Sequence, residues 1–136
     1  QGSARTKGLE LFLDYFFQKN LFMKLSYNFL NSSNNGKSLQ RRRKHSGNTS
    51  INWKPAFITN MSISTTLEYH SGARDDAFTG GHISGYALLN SNFNYKIAEN
   101  KYIMLKIENI LDQKYSLADT AGSYGRTISL GLKFEY

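Results

Sequence analysis

The stretch GRTISLGLKFEY, residues 125–136, decides the fold. Ile128, Leu130, Leu132, Phe134 and Tyr136 fall on one parity, and Thr127, Ser129, Gly131, Lys133 and Glu135 on the other. Side chains of an extended chain alternate between two faces, so this stretch reads as a strand that is apolar on one side and polar on the other. A strand packed on a soluble core and a strand facing lipid both show that pattern. What separates them is whether it repeats, how long each repeat is and how the repeats are joined.

The pattern repeats through the chain. Leu9, Leu11, Leu13, Tyr15 and Phe17 alternate with Glu10, Phe12, Asp14, Phe16 and Gln18, and after a short turn Leu21, Met23, Leu25, Tyr27 and Phe29 continue the alternation. A third strand carries Thr49, Ile51 and Trp53, and a fourth runs from Phe57 to Tyr69 after a tight turn at Lys54, Pro55 and Ala56. A fifth holds Ala87, Leu89, Phe93, Tyr95 and Ile97, with Ser91 interrupting its apolar side, and a sixth holds Ile103, Leu105 and Ile107. With the last stretch this makes seven strands, whose connections alternate between short (18–20, 54–56, 98–101) and long (31–40, 72–84, 109–124). Transmembrane barrels sort their turns in this way, short on the periplasmic side and long on the outer side, whereas a soluble meander has no reason to.

Length and composition agree. The nine residues of the first apolar band, at about 3.3 Å per residue and tilted by about 40°, stand roughly 23 Å tall, near the roughly 25 Å of a barrel's apolar belt. Aromatic residues gather at the band ends, where interfacial girdles form: Tyr15, Phe17, Trp53, Phe57, Tyr95, Phe134 and Tyr136 at one end, Tyr27, Phe29 and Tyr69 at the other. No run of apolar residues approaches the roughly 20 that a spanning helix needs, but a mean hydropathy of −0.50 is compatible with strands that are apolar on one side only. Nine Tyr, nine Phe and a single Pro favour strands. With no cysteine there is no disulfide framework or thiolate metal site to consider. The net charge of +7 is concentrated at Arg41, Arg42, Arg43 and Lys44 and is not interleaved with a platform of stacking aromatics, so nucleic acid is not an expected partner. No apolar leader segment is visible near Gln1.

Hydrocarbon tolerates no open sheet edge, and an odd number of antiparallel strands does not close a bacterial barrel. The expectation is therefore that residues 1–136 are the C-terminal segment of a single larger β-barrel domain. ARTKGLE (residues 4–10), LQRRRKHSGNTSINW (residues 39–53), NILDQKY (residues 109–115) and the Gly125–Arg126 pair sharpen this. They resemble segments of TonB-dependent outer-membrane receptors of the siderophore and vitamin B12 type, whose closing signature is N-L-F-D-x-x-Y followed by G-R. Ile110 and Leu111 stand where Leu and Phe are commoner, and Tyr136 where a terminal Phe is usual. The resemblance implies an all-β, antiparallel up-and-down transmembrane barrel of 22 strands, of which these are the last seven. It also implies a location in the bacterial outer membrane, and TonB-energised uptake of an iron-siderophore or cobalamin-type chelate. The implied partners are outer-membrane lipids and lipopolysaccharide, the TonB complex acting through a plug domain outside this segment, and the barrel-assembly machinery reading the last strand. A passive porin or adhesin barrel is the alternative, followed by a soluble lipid-binding β-barrel.

The candidate sites follow from this arrangement. Arg41, Arg42, Arg43, Lys44 and Arg74 fall at the long-loop end, where cations attract an anionic chelate or the phosphates of lipopolysaccharide. Ile128, Leu130, Leu132, Phe134 and Tyr136 are expected to face lipid, and Glu108 and Lys133 to pair across neighbouring strands in the lumen. Asp75 and Asp76 fall short of a calcium loop, His70 and His82 are too isolated for a metal site, and no nucleophile, base and orienting group occur together, so no cofactor, metal or catalytic activity is expected.

Overall fold

The computed structural model describes residues 4–34, 37–39, 41–74, 81–116 and 122–135. Ten strands follow in chain order: β1 Ala4–Gln18, β2 Leu21–Asn34, β3 Lys37–Ser38, β4 His45–Trp53, β5 Met61–His70, β6 Ala73–Arg74, β7 His82–Ile83, β8 Tyr86–Ala98, β9 Lys101–Glu108 and β10 Thr127–Phe134. The seven long strands form one antiparallel sheet in the order β1-β2-β4-β5-β8-β9-β10, each paired with its predecessor in the chain. The two small additions belong to the long connections. β3 extends β2, and β6 with β7 makes a hairpin of its own.

Register turns the alternation of each strand into two continuous faces. One row runs through Tyr15, Met23, Ile51, Thr65, Ser91, Ile107 and Ile128, and the next through Leu21, Trp53, Ile63, Phe93, Leu105 and Leu130. The interleaved rows are polar, as in Asp14, Lys24, Ser50, Thr66 and Asn90, or Asn52, Ser64, Asn92, Lys106 and Ser129. A slip of one residue in any pairing would transfer a whole apolar set to the other face. Phe12, Phe16 and Phe22 depart from the rule, since they stand on the polar side, with the Phe16 and Phe22 rings 5.6 Å apart.

The apolar rows do not enclose a dry interior. Leu130 is 76% exposed, and Ile128, Leu132 and Phe134 are also exposed. Among the described residues the buried hydrophobic side chains are Ala73 and Ile83, both in the β6–β7 hairpin. β1 and β10 are the two edges of the sheet and do not pair with each other, so the closed soluble barrel weighed from the sequence is not what forms. The four last-strand residues share the apolar parity as expected, whereas Tyr136 lies outside the described residues.

Two expectations need correction. The strand expected from Phe57 begins at Met61, and residues 54–60 form the turn. Pro55 is buried and accepts a bond from Ile58 N at 3.4 Å, and Asn60 closes the turn with a φ of 70°. Proline has no N–H for a ladder and asparagine tolerates the left-handed region, so the alternation through Phe57 and Thr59 continues past the point where pairing stops. Phe57 instead meets the Trp53 ring edge-on at 5.8 Å. The second correction concerns Glu108 and Lys133, which the register sets at opposite ends of the β9–β10 pair, Glu108 opposite Thr127 and Lys133 opposite Tyr102. Each finds its counter-charge two residues away on its own face, Glu108 with Lys106 at 2.8 Å and Lys133 with Glu135 at 2.6 Å.

Ser91, the break in the apolar side of β8, is resolved by its neighbour. Its hydroxyl lies 2.9 Å from that of Thr65 directly across the strand pair, and the residue is 3% exposed. Two hydroxyls that bond each other remove most of the penalty of placing either against hydrocarbon. Ser91→Ala in the full-length protein is expected to cost about 1 kcal/mol by orphaning Thr65, and adding Thr65→Val to recover part of it, as read from urea unfolding in liposomes. Leu130→Arg is expected to cost roughly 2 to 4 kcal/mol in the same measurement. Ser129→Arg, on the polar face, should cost less than about 1 kcal/mol even with Lys106 opposite. Equal losses at residues 129 and 130 would reverse the assigned faces.

Candidate functional site

The three long connections meet at one end of the sheet, and the side chain that joins them is Arg43. Its Nη1 donates to the carbonyl oxygen of Ser71 and to that of Ser84 at 3.3 Å, and its Nη2 donates to the carbonyl oxygen of Ser116 at 3.3 Å. These carbonyls belong to the second and third connections, while Arg43 itself ends the first. The guanidinium also lies 4.8 Å from the centre of the Tyr86 ring, which packs against Tyr115 at 4.6 Å and His70 at 4.9 Å. A planar fork of five donors that can also lie over an aromatic face suits this position in a way a lysine ammonium would not.

Backbone pairing completes the junction. Leu30 N donates to Lys44 O at 2.8 Å, Arg41 N to Arg74 O at 2.7 Å and Ser71 N to His45 O at 2.8 Å. His45 is oriented by the Tyr27 hydroxyl, 2.7 Å from its Nδ1. The β6–β7 hairpin folds in closely enough that a Cβ on Gly72 would lie 2.7 Å from the exposed His82 ring and 3.0 Å from Ile83 O, so a larger residue there would push the ring aside and crowd that carbonyl.

The third connection is built on Asn109, which is 5% exposed. Asn90 Oδ1 accepts from Asn109 N at 2.8 Å, Asn109 Oδ1 accepts from Gln113 N at 2.9 Å, and Asn109 Nδ2 donates to Gln113 O at 3.0 Å and Tyr124 O at 3.3 Å. Asn109 and Asp112 both have a φ of 51°, a region that asparagine and aspartate enter more readily than most residues. Asp112 Oδ1 then accepts from Arg126 N at 2.8 Å, just ahead of β10. A Cβ on Gly125 would stand 2.8 Å from that same oxygen. The Asn, Asp, Gly and Arg of the motif thus form one device that turns the chain and aims the last strand.

The polar face just below this junction holds an open depression of about 340 Å³ lined by Glu10, Ser26, Asn28, Asn48, Glu68 and His70 among others. Asn90 links the two levels, because its Nδ2 donates to Glu68 Oε1 at 3.4 Å while its Oδ1 holds Asn109.

An antiparallel sheet with sorted connections, one apolar face and this closing turn is matched by known proteins. The family model described as "TonB dependent receptor-like, beta-barrel" covers residues 1–110. The chain belongs to this family of TonB-dependent receptors. Three solved receptors share the fold. The siderophore receptor PiuA from Acinetobacter baumannii is 18% identical with a TM-score of 0.82 over 99% of this chain and 22% of its own. The ferric yersiniabactin uptake receptor FyuA from Yersinia pestis is 16% identical with a TM-score of 0.83 over 99% of this chain and 24% of its own. The ferric citrate transporter FecA is 21% identical with a TM-score of 0.84 over 97% of this chain and 24% of its own. The chain thus spans about a quarter of the length of these receptors. No curated protein matches it by sequence.

As part of a TonB-dependent receptor, the sheet lies in the bacterial outer membrane, and the family is one of receptors and transporters. The porin and adhesin alternatives give way to that assignment. Of the expected ligand contacts, Arg43 is half-buried and engaged with carbonyls, so it serves the loops. Arg41, Arg42 and Lys44 are exposed beyond it, and Arg41 has a φ of 53°. Arg74 is half-buried on β6, while Asp75 and Asp76 lie outside the described residues. The sequence pattern treats the four cations as a block, and only the third of them is drawn inward. Tyr86 carries no signal of its own in the sequence, and the closing motif contains Asn109 and Tyr115 without showing what either one touches.

Arg43→Ala in the full-length receptor is expected to lower local stability of the three connections by about 1 to 3 kcal/mol, as the loss of charge-assisted bonds implies. Hydrogen exchange should speed up over residues 71–74, 81–85 and 109–116 with the long strands unaffected. Arg43→Lys should restore little of the protection.

Proposed function

We propose that this chain is part of a receptor that captures an anionic ferric siderophore and imports it with energy delivered through TonB. The observation that carries the reading is the charge at the mouth. With Arg43 occupied in the junction, Arg41, Arg42 and Lys44 are left exposed at the same end, with Arg74 on the neighbouring hairpin and exposed Lys114 on the third connection. Cations clustered at a mouth raise the local concentration of an anionic ligand and speed its capture. Beneath them the depression has a mixed lining, with amides, hydroxyls, two carboxylates and His70 beside Phe12 and Tyr27, which suits a passage in contact with a plug. The similar receptors named above are a siderophore receptor, a ferric yersiniabactin receptor and a ferric citrate transporter, which favours a ferric chelate over cobalamin for this chain as well. In this reading Ile128, Leu130, Leu132, Phe134 and Tyr136 meet lipid, and the last strand is the one the barrel-assembly machinery receives.

The test uses the full-length receptor with a panel of radiolabelled ferric siderophores of differing charge. Arg41→Gln/Arg42→Gln/Lys44→Gln should weaken binding of anionic chelates on the order of tenfold, most strongly at low salt, and leave neutral ones unchanged. Uptake in cells should vanish when TonB is deleted. Binding indifferent to both substitution and salt would overturn the basic mouth, and uptake without TonB would overturn the transport reading.

A further inference from the structure

All three histidines of the chain, His45, His70 and His82, stand at the long-connection end of the sheet, in different surroundings. His45 pairs with Phe29 on the apolar side, its Nδ1 2.7 Å from the Tyr27 hydroxyl, and His82 is exposed on β7. His70 is half-buried on the polar side, with Ser46 opposite on one neighbouring strand and Tyr86 on the other. Its ring lies 4.9 Å from that of Tyr86, the same ring over which the Arg43 guanidinium sits at 4.8 Å. The next residue in the chain, Ser71, gives its carbonyl oxygen to Arg43. One imidazole at the foot of the junction thus shares an aromatic ring with the cation that holds the junction together.

We infer that His70 is an acid-sensitive switch for the three long connections. Neutral, it packs with Arg43 around Tyr86. Protonated, it is repelled by the guanidinium and drawn toward the carboxylates of the depression, and the connections loosen. The first argument is the distribution of charge. The cations facing His70 are Arg43 and, two residues beyond Ser46, the exposed Lys44, both on the connection side. The carboxylates are Glu68, one row deeper on its own strand, and Glu10, on the same row three strands away, and both line the depression with His70. Tyr86, Tyr115 and Tyr27 are phenols, and Asn28, Ser46 and Asn48 complete the surroundings without charge. Glu68 accepts from Asn90 Nδ2 at 3.4 Å, which leaves its carboxylate further capacity to accept. A positive charge on His70 therefore costs more with the junction closed than with it open, and by linkage acid favours the open form.

The second argument is mechanical. The corner formed by His70 and Ser71 is gripped by every connection. From the first, Arg43 holds Ser71 O, and at the start of β4 His45 N donates to Ser71 Oγ at 3.1 Å. From the second, the returning chain passes so close that a Cβ on Gly85 would lie 2.9 Å from His70 O. The third is reached through Tyr86, whose ring packs on Tyr115 at 4.6 Å. A shift of the imidazole is therefore felt at all three, and the open depression of about 340 Å³ gives the ring space to turn into. Protonation also adds a positive charge beside Glu10 and Glu68, so the same event that loosens the mouth makes the lining below it less negative.

The test is hydrogen exchange on the full-length receptor at about pH 7.5 and about pH 5, a window in which histidine is the side chain whose charge ordinarily changes. Protection factors are corrected for the intrinsic exchange rate at each pH. Protection over residues 71–74, 81–85 and 109–116 should fall on the order of tenfold in acid, the size of a like-charge contact in a half-exposed site, while the long strands hold steady. His70→Gln should abolish this response. His70→Lys, which carries the charge at both pH values, should show the low protection at both. His45→Gln and His82→Gln should respond as the parent does. Heat-modifiable migration on gels confirms that each variant is folded. No acid response in the parent, a response that survives His70→Gln, one that is lost in His45→Gln or His82→Gln, or parent-like protection of His70→Lys at about pH 7.5 would overturn the switch.

Discussion

A backbone N–H or C=O has no partner in hydrocarbon except another backbone group, and this constraint underlies the whole arrangement. It makes strand length, register and turn placement interdependent. Strands must run long enough to cross, each must pair along its full length, and every pairing must keep the apolar set on one side. The seven long strands meet these conditions through local connections, each strand pairing with the one before it in the chain. A related constraint acts on side chains, and on the apolar face the hydroxyls of Thr65 and Ser91 meet it by bonding each other.

Much of this was legible in the sequence because a period of two is a strong signal when one face must be apolar and the other polar. The last strand shows this most clearly, with five apolar residues on one parity. The signal carries no information about where pairing ends, which is why Phe57 and Thr59 read as strand although Asn60 turns the chain after them. Nor does it fix register between strands. Glu108 and Lys133 look like a cross-strand pair by charge, but the pairing of β9 with β10 sets Thr127 and Tyr102 opposite them. The site was less legible for a related reason. Arg41, Arg42, Arg43 and Lys44 are chemically alike in the sequence, and only tertiary placement draws Arg43 against Tyr86 and leaves its neighbours at the surface.

The closing motif shows what a family signature can mean physically. Asn109 collects five hydrogen bonds around one turn, Asp112 captures the backbone of Arg126, and Gly125 leaves room for that carboxylate. These residues touch no part of the depression on the polar face directly, yet Asn90 connects them to Glu68 within it. The motif is thus structural in its own contacts and one hydrogen-bonded residue away from the polar passage. Such a position fits residues whose role is to hold the entry to the final strand in place.

The Arg43 junction has a consequence for how the surface of this protein can change over generations. Each of its hydrogen bonds ends on a main-chain oxygen, at Ser71, Ser84 and Ser116, and none requires the serine hydroxyl. An anchor of this kind is indifferent to the identity of the residue it grips. The exposed segments can therefore diversify, exchanging side chains under pressure from whatever recognises the cell from outside, while the same guanidinium keeps their bases assembled.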